Sequence, residues 1–346
     1  MEKIEPSRGV ELRDFIAQGT ACEGLIKTLE DGHFVHAYLI TGQDGVGKKT
    51  LAREVAKYLL CTGEQKPCGT CAACQQVQQG THPDLLTVRA GFHISSDQAT
   101  ETGKNYIIVD TIRELVAKVN EHAYEGGYRI VIMEHAEKMN PSAQNALLKT
   151  LEEPPENVLF LLLTDTPGSL LPTIVSRCRQ IALHPWPDST VKQVLAEHGY
   201  VGIRAAQAVQ ASGGSIGKAL EMAGDDAYWE NRKKVMKQFL DIPDYSSVYS
   251  IANEWKEAKD QGMELLDDLE DMVRTMLLCH LGRADMELVS DLPAAFQKMT
   301  REGSNESFLH ILDSIHDARR KRLSQVTWPA VLERLLLDIM EEKKKW

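Results

Sequence analysis

The chain has 346 residues, enough for two or three domains with real hydrophobic cores, and it contains no run of about 18 apolar residues that would predict a membrane span. Its 50 acidic and 39 basic side chains give a net charge of −11, which disfavours holding nucleic acid by bulk charge and leaves only a local basic face open. The opening MEKIEPSRGVELRDF is charged throughout and lacks the apolar stretch of a secretory signal, so the expectation is a cytoplasmic protein with no membrane partner.

Leu12, Phe15 and Ile16, then Leu25, Ile26 and Leu29, fall at helical spacing and predict a helical lead-in over the first 35 residues. Ala37 to Thr41 reads as a short apolar strand, followed by the turn GQDGVGKKT and a helix from about Lys48 to Leu60 with Leu51, Val55, Tyr58 and Leu59 on one face. Leu85 to Val88 reads as a strand, Ala90 to Asn105 as an exposed polar loop, and Ile107 to Val109 as extended. Asp110 or Thr111 is placed to cap a helix carrying Ile112, Leu115, Val116 and Val119, and Gly126-Gly127 ends that unit. Arg129 to Met133 is a compact apolar run of the kind buried on both faces. Asn140-Pro141 starts a helix, with Asn as cap and Pro in the first turn, and Pro154-Pro155 stops it. Val158 to Thr164 and Arg179 to Leu183 are the last strands.

Apolar strands alternating with helices predict an α/β fold, a parallel sheet of nucleotide-binding type. From Pro185 to Pro187 the composition changes. Asp188 to Ala223 is a small helical unit interrupted by glycines, and from about Asp226 the pattern is long amphipathic helices such as Leu265 to Leu281 and Phe308 to Leu323. The expected domains are therefore 1–184, 185–225 and 226–346.

The turn after the first strand nearly matches the phosphate-cradling pattern G-x-x-x-x-G-K-[ST], in which glycines let backbone N–H groups converge on phosphates and a hydroxyl binds magnesium. Gly42, Gly45, Gly47 and Lys48 supply the first parts. Lys49 stands where the hydroxyl belongs, unless a shifted turn recruits Thr50. The alternative is a purely structural strand-to-helix turn. An ATPase also needs an acidic pair at the end of a buried strand, and here RIVIM is followed by Glu134, still able to reach a metal, and by His135, a non-catalytic replacement. Cys61, Cys68, Cys71 and Cys74 form C-x6-C-x2-C-x2-C, which points to a closed tetrahedral structural zinc site over residues 61–74 rather than to free thiols. Cys22, Cys178 and Cys279 read as ordinary semi-buried residues. Ser176-Arg177-Cys178 lies between the last two strands, where Arg177 is either a plain surface charge or an arginine reaching a neighbour's nucleotide.

Taken together, GQDGVGKKT, the cysteine knot after its helix, IVIMEHAEKM, SAQNALLKTLEEPPEN and TIVSRCRQI resemble the bacterial clamp-loader AAA+ family. The resemblance is strong from Val35 to Leu183, continues by architecture through the small helical unit and is weak beyond it. It implies a RecA-like domain with a zinc module, a helical lid and an all-α C-terminal collar. Through that collar, ATPase subunits and a delta subunit assemble as a five-subunit ring that places a sliding clamp on primed DNA. It also implies that Ser176, Arg177 and Cys178 are the family's SRC motif, whose arginine acts in trans on a neighbour's ATP. Active members carry Ser or Thr at position 49, Asp-Glu at 134 and 135, and an arginine near position 217; this chain has Lys49, Glu134-His135 and Gly217. These three departures read as independent changes. The expectation is a non-hydrolysing stator that donates Arg177, with structural zinc, with ATP binding left open and with no magnesium-dependent hydrolysis. Two other readings are an active ATPase motor subunit of the gamma/tau type and a zinc-dependent DNA-binding protein. The second is disfavoured because the knot lacks flanking aromatics and basic clusters.

Overall fold

The computed structural model describes residues 10–92, 94, 105–121, 123, 127–242, 244–257, 262–283, 293–322 and 327–345. Most of the loop expected from Ala90 to Asn105 lies outside them, as do Gly126 and Leu323. The chain divides into two compact units, residues 1–198 with 214–218, and residues 199–213 with 219–346.

The first unit is built on a parallel five-stranded sheet. Its strands are β1 (Ala37–Thr41), β2 (Leu85–Val88), β3 (Arg129–Met133), β4 (Val158–Thr164) and β5 (Arg179–Ala182), in the order β2-β3-β4-β1-β5. Every residue of β3 and β4 is buried, which is why both read as unbroken apolar runs: helices cover both faces of a parallel sheet, so neither side of the strand can be polar. β5 is an edge strand with Arg179 and Gln180 exposed, a polarity that blunts further strand addition. β1 pairs with β4 from Ala37 opposite Phe160 to Thr41 opposite Thr164, so the turn after β1 leaves the sheet beside the ends of β4 and β5.

The helices of this unit are α1 (Thr20–Glu30), α2 (Lys48–Leu60), α3 (Ala72–Gln79), α4 (Val109–Val119), α5 (Pro141–Glu152), α6 (Pro172–Arg177) and α7 (Asp188–Glu197), preceded by a 3-10 turn over Leu12–Gln18. Asn140 caps α5 as its sequence requires, its side-chain oxygen accepting from Ala143 N at 2.8 Å with Pro141 in the first turn. The start of α4 differs from expectation. Its N-cap is Ile108, in extended conformation and without a side-chain cap, so Val109 is already helical. Asp110 instead sits in the first turn, where its charge suits the helix dipole and pairs with Arg113 at 2.9 Å. Cys22 and Cys178 are buried rather than semi-buried, and burial pushes both thiols up to about 11.

The second unit is all helical: α8 (Ile203–Ala211), most of α9 (Ile216–Gly224), α10 (Asp226–Leu240), α11 (Tyr245–Glu257), α12 (Gly262–His280), α13 (Ala294–Glu302), α14 (Asn305–Arg322) and α15 (Trp328–Lys343). α12 contributes Leu265, Leu266, Leu269, Met272, Val273 and Met276 to the core, the spacing of one helical stripe. α15 answers with Val331, Leu332, Leu335, Leu336, Ile339 and Met340, and Phe239, Phe296 and Phe308 fill the space between. Among the described residues no helix is long and apolar enough to cross a membrane.

Candidate functional site

The loop between β1 and α2 has the conformation that its glycines allow. Gly42, Gly45 and Gly47 have φ of 147°, 71° and 109°, and Gly47 leads directly into Lys48 as the first helical residue. Close approach also requires glycines here, at Gly42, where a Cβ would lie 2.7 Å from Leu183 O, and at two further positions. A Cβ on Gly45 would collide with Ser215 Oγ, and one on Gly217 would lie 2.8 Å from Gly45 Cα. The segment 214–218 belongs to the same unit and is bonded to the loop. Gly217 N donates to Gly45 O at 2.8 Å and Ser215 Oγ donates to Asp44 O at 2.9 Å. Trp186 closes the same corner, its indole N–H donating to Val46 O at 2.8 Å and its ring standing edge-on to Phe15.

Lys48, the expected phosphate ligand, donates to the carbonyls of Gly42 at 2.7 Å and Gln43 at 2.9 Å, so its ammonium is folded onto its own loop. Burial lowers its pKa, an effect opposed by Asp44, Asp165 and Glu137. Lys49 reaches across to the end of β3 and pairs with Glu134 at 2.6 Å. Its side chain is 45% exposed and that of Glu134 only 15%, so the carboxylate is the more enclosed partner. The changes at 49 and 134 are therefore not independent, as the sequence suggested; they are two halves of one ion pair. Thr50 is exposed on the first turn of α2. His135 takes a left-handed conformation, φ 53°, with Nδ1 2.9 Å from Glu137 Oε1.

These residues do not fit magnesium. Magnesium requires oxygen donors at about 2.1 Å in octahedral array. The first-turn position that should supply one carries an ammonium, and the opposing carboxylate is already neutralised by it.

Ser176, Arg177 and Cys178 point three ways from the end of α6. Cys178 is buried among the sheet's core residues, Ser176 donates to Thr173 O at 3.0 Å, and Arg177 faces outward with a third of its side chain exposed. The guanidinium is held by Thr173 O, 3.0 Å from Nη1, and by an ion pair of Nη2 with Glu152 at the end of α5. Two of its five donors are thus accounted for. α6 is tied to α5 by buried Gln144, whose amide nitrogen donates to Met139 O at 3.1 Å and Ser169 O at 3.2 Å while its oxygen accepts from Leu171 N at 2.7 Å. Replacement of Gln144 by Leu leaves these backbone groups without that partner. The expected cost is about 1–3 kcal/mol, read as a shift in the urea midpoint of the full chain.

The four cysteines of the knot come together. Their Sγ atoms all lie within 4.8 Å of one another, a cluster that can hold a metal ion, and four thiolate donors suit tetrahedral zinc. Cys71 is the N-cap of α3 and receives Cys74 N at 3.4 Å, while Cys61 Sγ receives Gly63 N at 3.3 Å and Cys68 N at 3.4 Å. Such N–H···S bonds stabilise thiolate. They hold the Cys71 thiol down to about 5, whereas burial pushes Cys74 up. Metal loading must therefore strip the Cys74 proton. One zinc per chain is expected by elemental analysis, with Cys71→Ser losing it.

A parallel sheet in this strand order, with a glycine turn leading from its first strand into a helix and long helices after it, defines the class: an α/β domain joined to a helical part. Residues 17–187 match the family described as DNA polymerase III, delta subunit. Over 308 residues the chain is 33% identical to the DNA polymerase III subunit delta' of Escherichia coli strain K12, covering 87% of each chain. Over 325 residues it is 28% identical to the subunit of the same name from Bacillus subtilis strain 168, covering 92% of this chain and 94% of that one. Its likeness to the tau/gamma subunit of Haemophilus influenzae, 36% over 185 residues, covers 53% of this chain and 25% of that one. The chain belongs to the DNA polymerase III subunit delta' family.

Proposed function

We propose that this chain is a non-hydrolysing stator of the clamp loader, donating Arg177 to ATP bound on an adjacent motor subunit while the assembly loads a sliding clamp onto primed DNA. The observation that carries this reading is the contrast between two sites on one domain. Arg177 is presented outward on a helix anchored through Cys178 and Gln144, while the chain's own loop has an ammonium paired with the carboxylate where magnesium would bind. The partners are ATPase subunits and a delta subunit in a five-subunit ring, with clamp and DNA engaged through the complex. DNA contact there does not need a basic chain, because backbone amides and helix N-termini grip phosphates.

The motor-subunit reading is weaker. The tau/gamma likeness covers 53% of this chain, whereas the likenesses to the Escherichia coli and Bacillus subtilis delta' subunits cover 87% and 92% of it. The test is ATP turnover by the chain alone and in mixture with motor and delta subunits. The chain alone is expected to be inactive, and the mixture active in an Arg177-dependent way. Hydrolysis by the isolated chain that vanished with Lys48→Ala would instead establish the motor reading.

A further inference from the structure

We infer that Lys49 is a built-in counter-cation, which makes the loop from Gly42 to Thr50 independent of divalent metal: its ammonium supplies from within the chain the positive charge that magnesium brings to such loops. The inference rests on the non-hydrolysing reading of this site and deepens it by naming what stands in the metal's place.

In a phosphate loop the metal is held between a hydroxyl on the first turn of the helix and a carboxylate at the end of a neighbouring strand. Here those two positions are Lys49 and Glu134, and they meet directly at 2.6 Å. The exchanges compensate one another. A longer carboxylate, Glu in place of Asp, extends toward the loop, and the ammonium that meets it neutralises a mostly enclosed charge that would otherwise be costly to leave unpaired. An ammonium beside a metal-bound carboxylate would be unfavourable, whereas beside a metal-free carboxylate it supplies the cation itself.

The rest of the loop is likewise held by protein groups, and the carbonyls of Gly42 and Gln43 accept from the Lys48 ammonium as a bound phosphate would. Lys48 bonds to Gly42 O and Gln43 O, Gly217 N bonds to Gly45 O, and Ser215 Oγ bonds to Asp44 O. Gly217, where active members of the resembling family carry arginine, is the residue whose missing side chain lets the backbone approach Gly45. The turn is thereby kept in shape without phosphate or metal. Any anion it accepts would be taken metal-free, and the Lys49–Glu134 pair decides whether a divalent ion can enter.

The test uses the zinc-loaded full chain, with manganese as the probe, read by loss of the free-ion electron paramagnetic resonance signal in the presence of ADP, and by thermal melting with and without added magnesium. Wild type is expected to bind no manganese at this loop and to melt at the same temperature in both buffers. Lys49→Thr, which restores a hydroxyl and frees Glu134, is expected to bind one manganese at least about tenfold more tightly than wild type, and to melt higher with magnesium. Adding Glu134→Gln is expected to abolish both gains. Saturable manganese binding by wild type that Glu134→Gln removes would overturn the inference, whatever Lys49→Thr does. So would a folded Lys49→Thr that gains nothing; Lys49→Ser serves the same purpose if the threonine variant does not fold. Manganese binding by wild type together with Arg177-dependent turnover in the ring would remove this inference and leave the stator reading. Turnover indifferent to Arg177 would do the reverse.

Discussion

Replacing Arg177 by alanine is expected to cut hydrolysis at the one nucleotide it serves by about 10³-fold or more, the usual worth of an arginine finger, while the chain folds and assembles as before. The two halves of this expectation have different physical origins. The loss of rate comes from removing charge and paired N–H donors from the transferred phosphoryl in the transition state, an effect of about 4 kcal/mol or more. The cost in stability is small, because the ion pair with Glu152 is partly solvent-exposed and such pairs contribute about 0–1 kcal/mol. Cys178 and Gln144, which anchor the helix, are untouched by the change. Arg177→Lys should recover little, since a single ammonium cannot reproduce the planar fork of donors. Steady-state turnover by the reconstituted ring, with assembly checked by gel filtration, decides the matter. Turnover unchanged in the alanine variant would sink the finger. Single-turnover measurement at the neighbouring subunit separates the proposed site from any other that turns over and gives the cleaner number.

Much of the first unit is legible in its sequence because the signals are local. RIVIM and VLFLLLT can only be strands covered on both faces, and Asn140-Pro141 carries its own capping chemistry. The four cysteines announce a metal site by spacing, and the structure gathers their sulfurs. The boundary of α4 was misplaced because the cap there is supplied by backbone conformation at Ile108 and not by a side chain that sequence can reveal. The candidate site is less readable for a different reason. Lys49 and Glu134 lie far apart in the chain, so two substitutions that together form one ion pair look like separate defects. The signal was present in their opposite charges, but only the β1–β4–β3 register brings them together. The same holds for Ser215 and Gly217, whose roles depend on the return of the chain to the loop, and for the polar network inside the helical unit.

That network makes Arg232 the position where a single substitution should do the most damage to the second unit. Arg232, on α10, donates to Asp268 Oδ1 at 2.7 Å and pairs with Asp271 on α12, while Tyr228 also donates to Asp268 Oδ1 at 2.8 Å. Only 11% of the Arg232 side chain and 5% of that of Asp268 is exposed. Arg232→Met keeps much of the volume and the contact with Trp229 but leaves a buried carboxylate without its cation, which typically costs about 3–5 kcal/mol. The pH dependence follows from Asp268. Burial already raises its pKa, against the opposing pull of Arg232, so removing the arginine raises it further. A carboxyl whose folded pKa exceeds its unfolded value contributes stability that is present below the unfolded pKa and lost as pH rises through the folded one. The deficit of Arg232→Met should therefore be full at neutral pH and smaller in acid, where Asp268 is protonated. Urea melts of wild type and variant at pH 7 and near pH 4.5 measure it. Adding Asp268→Asn should recover part of the loss at neutral pH, since the neutral amide can still accept from Tyr228. A deficit below about 1 kcal/mol, or one equal at both pH values, would mean that the carboxylate finds water or another partner and that α10 and α12 are held by apolar packing alone.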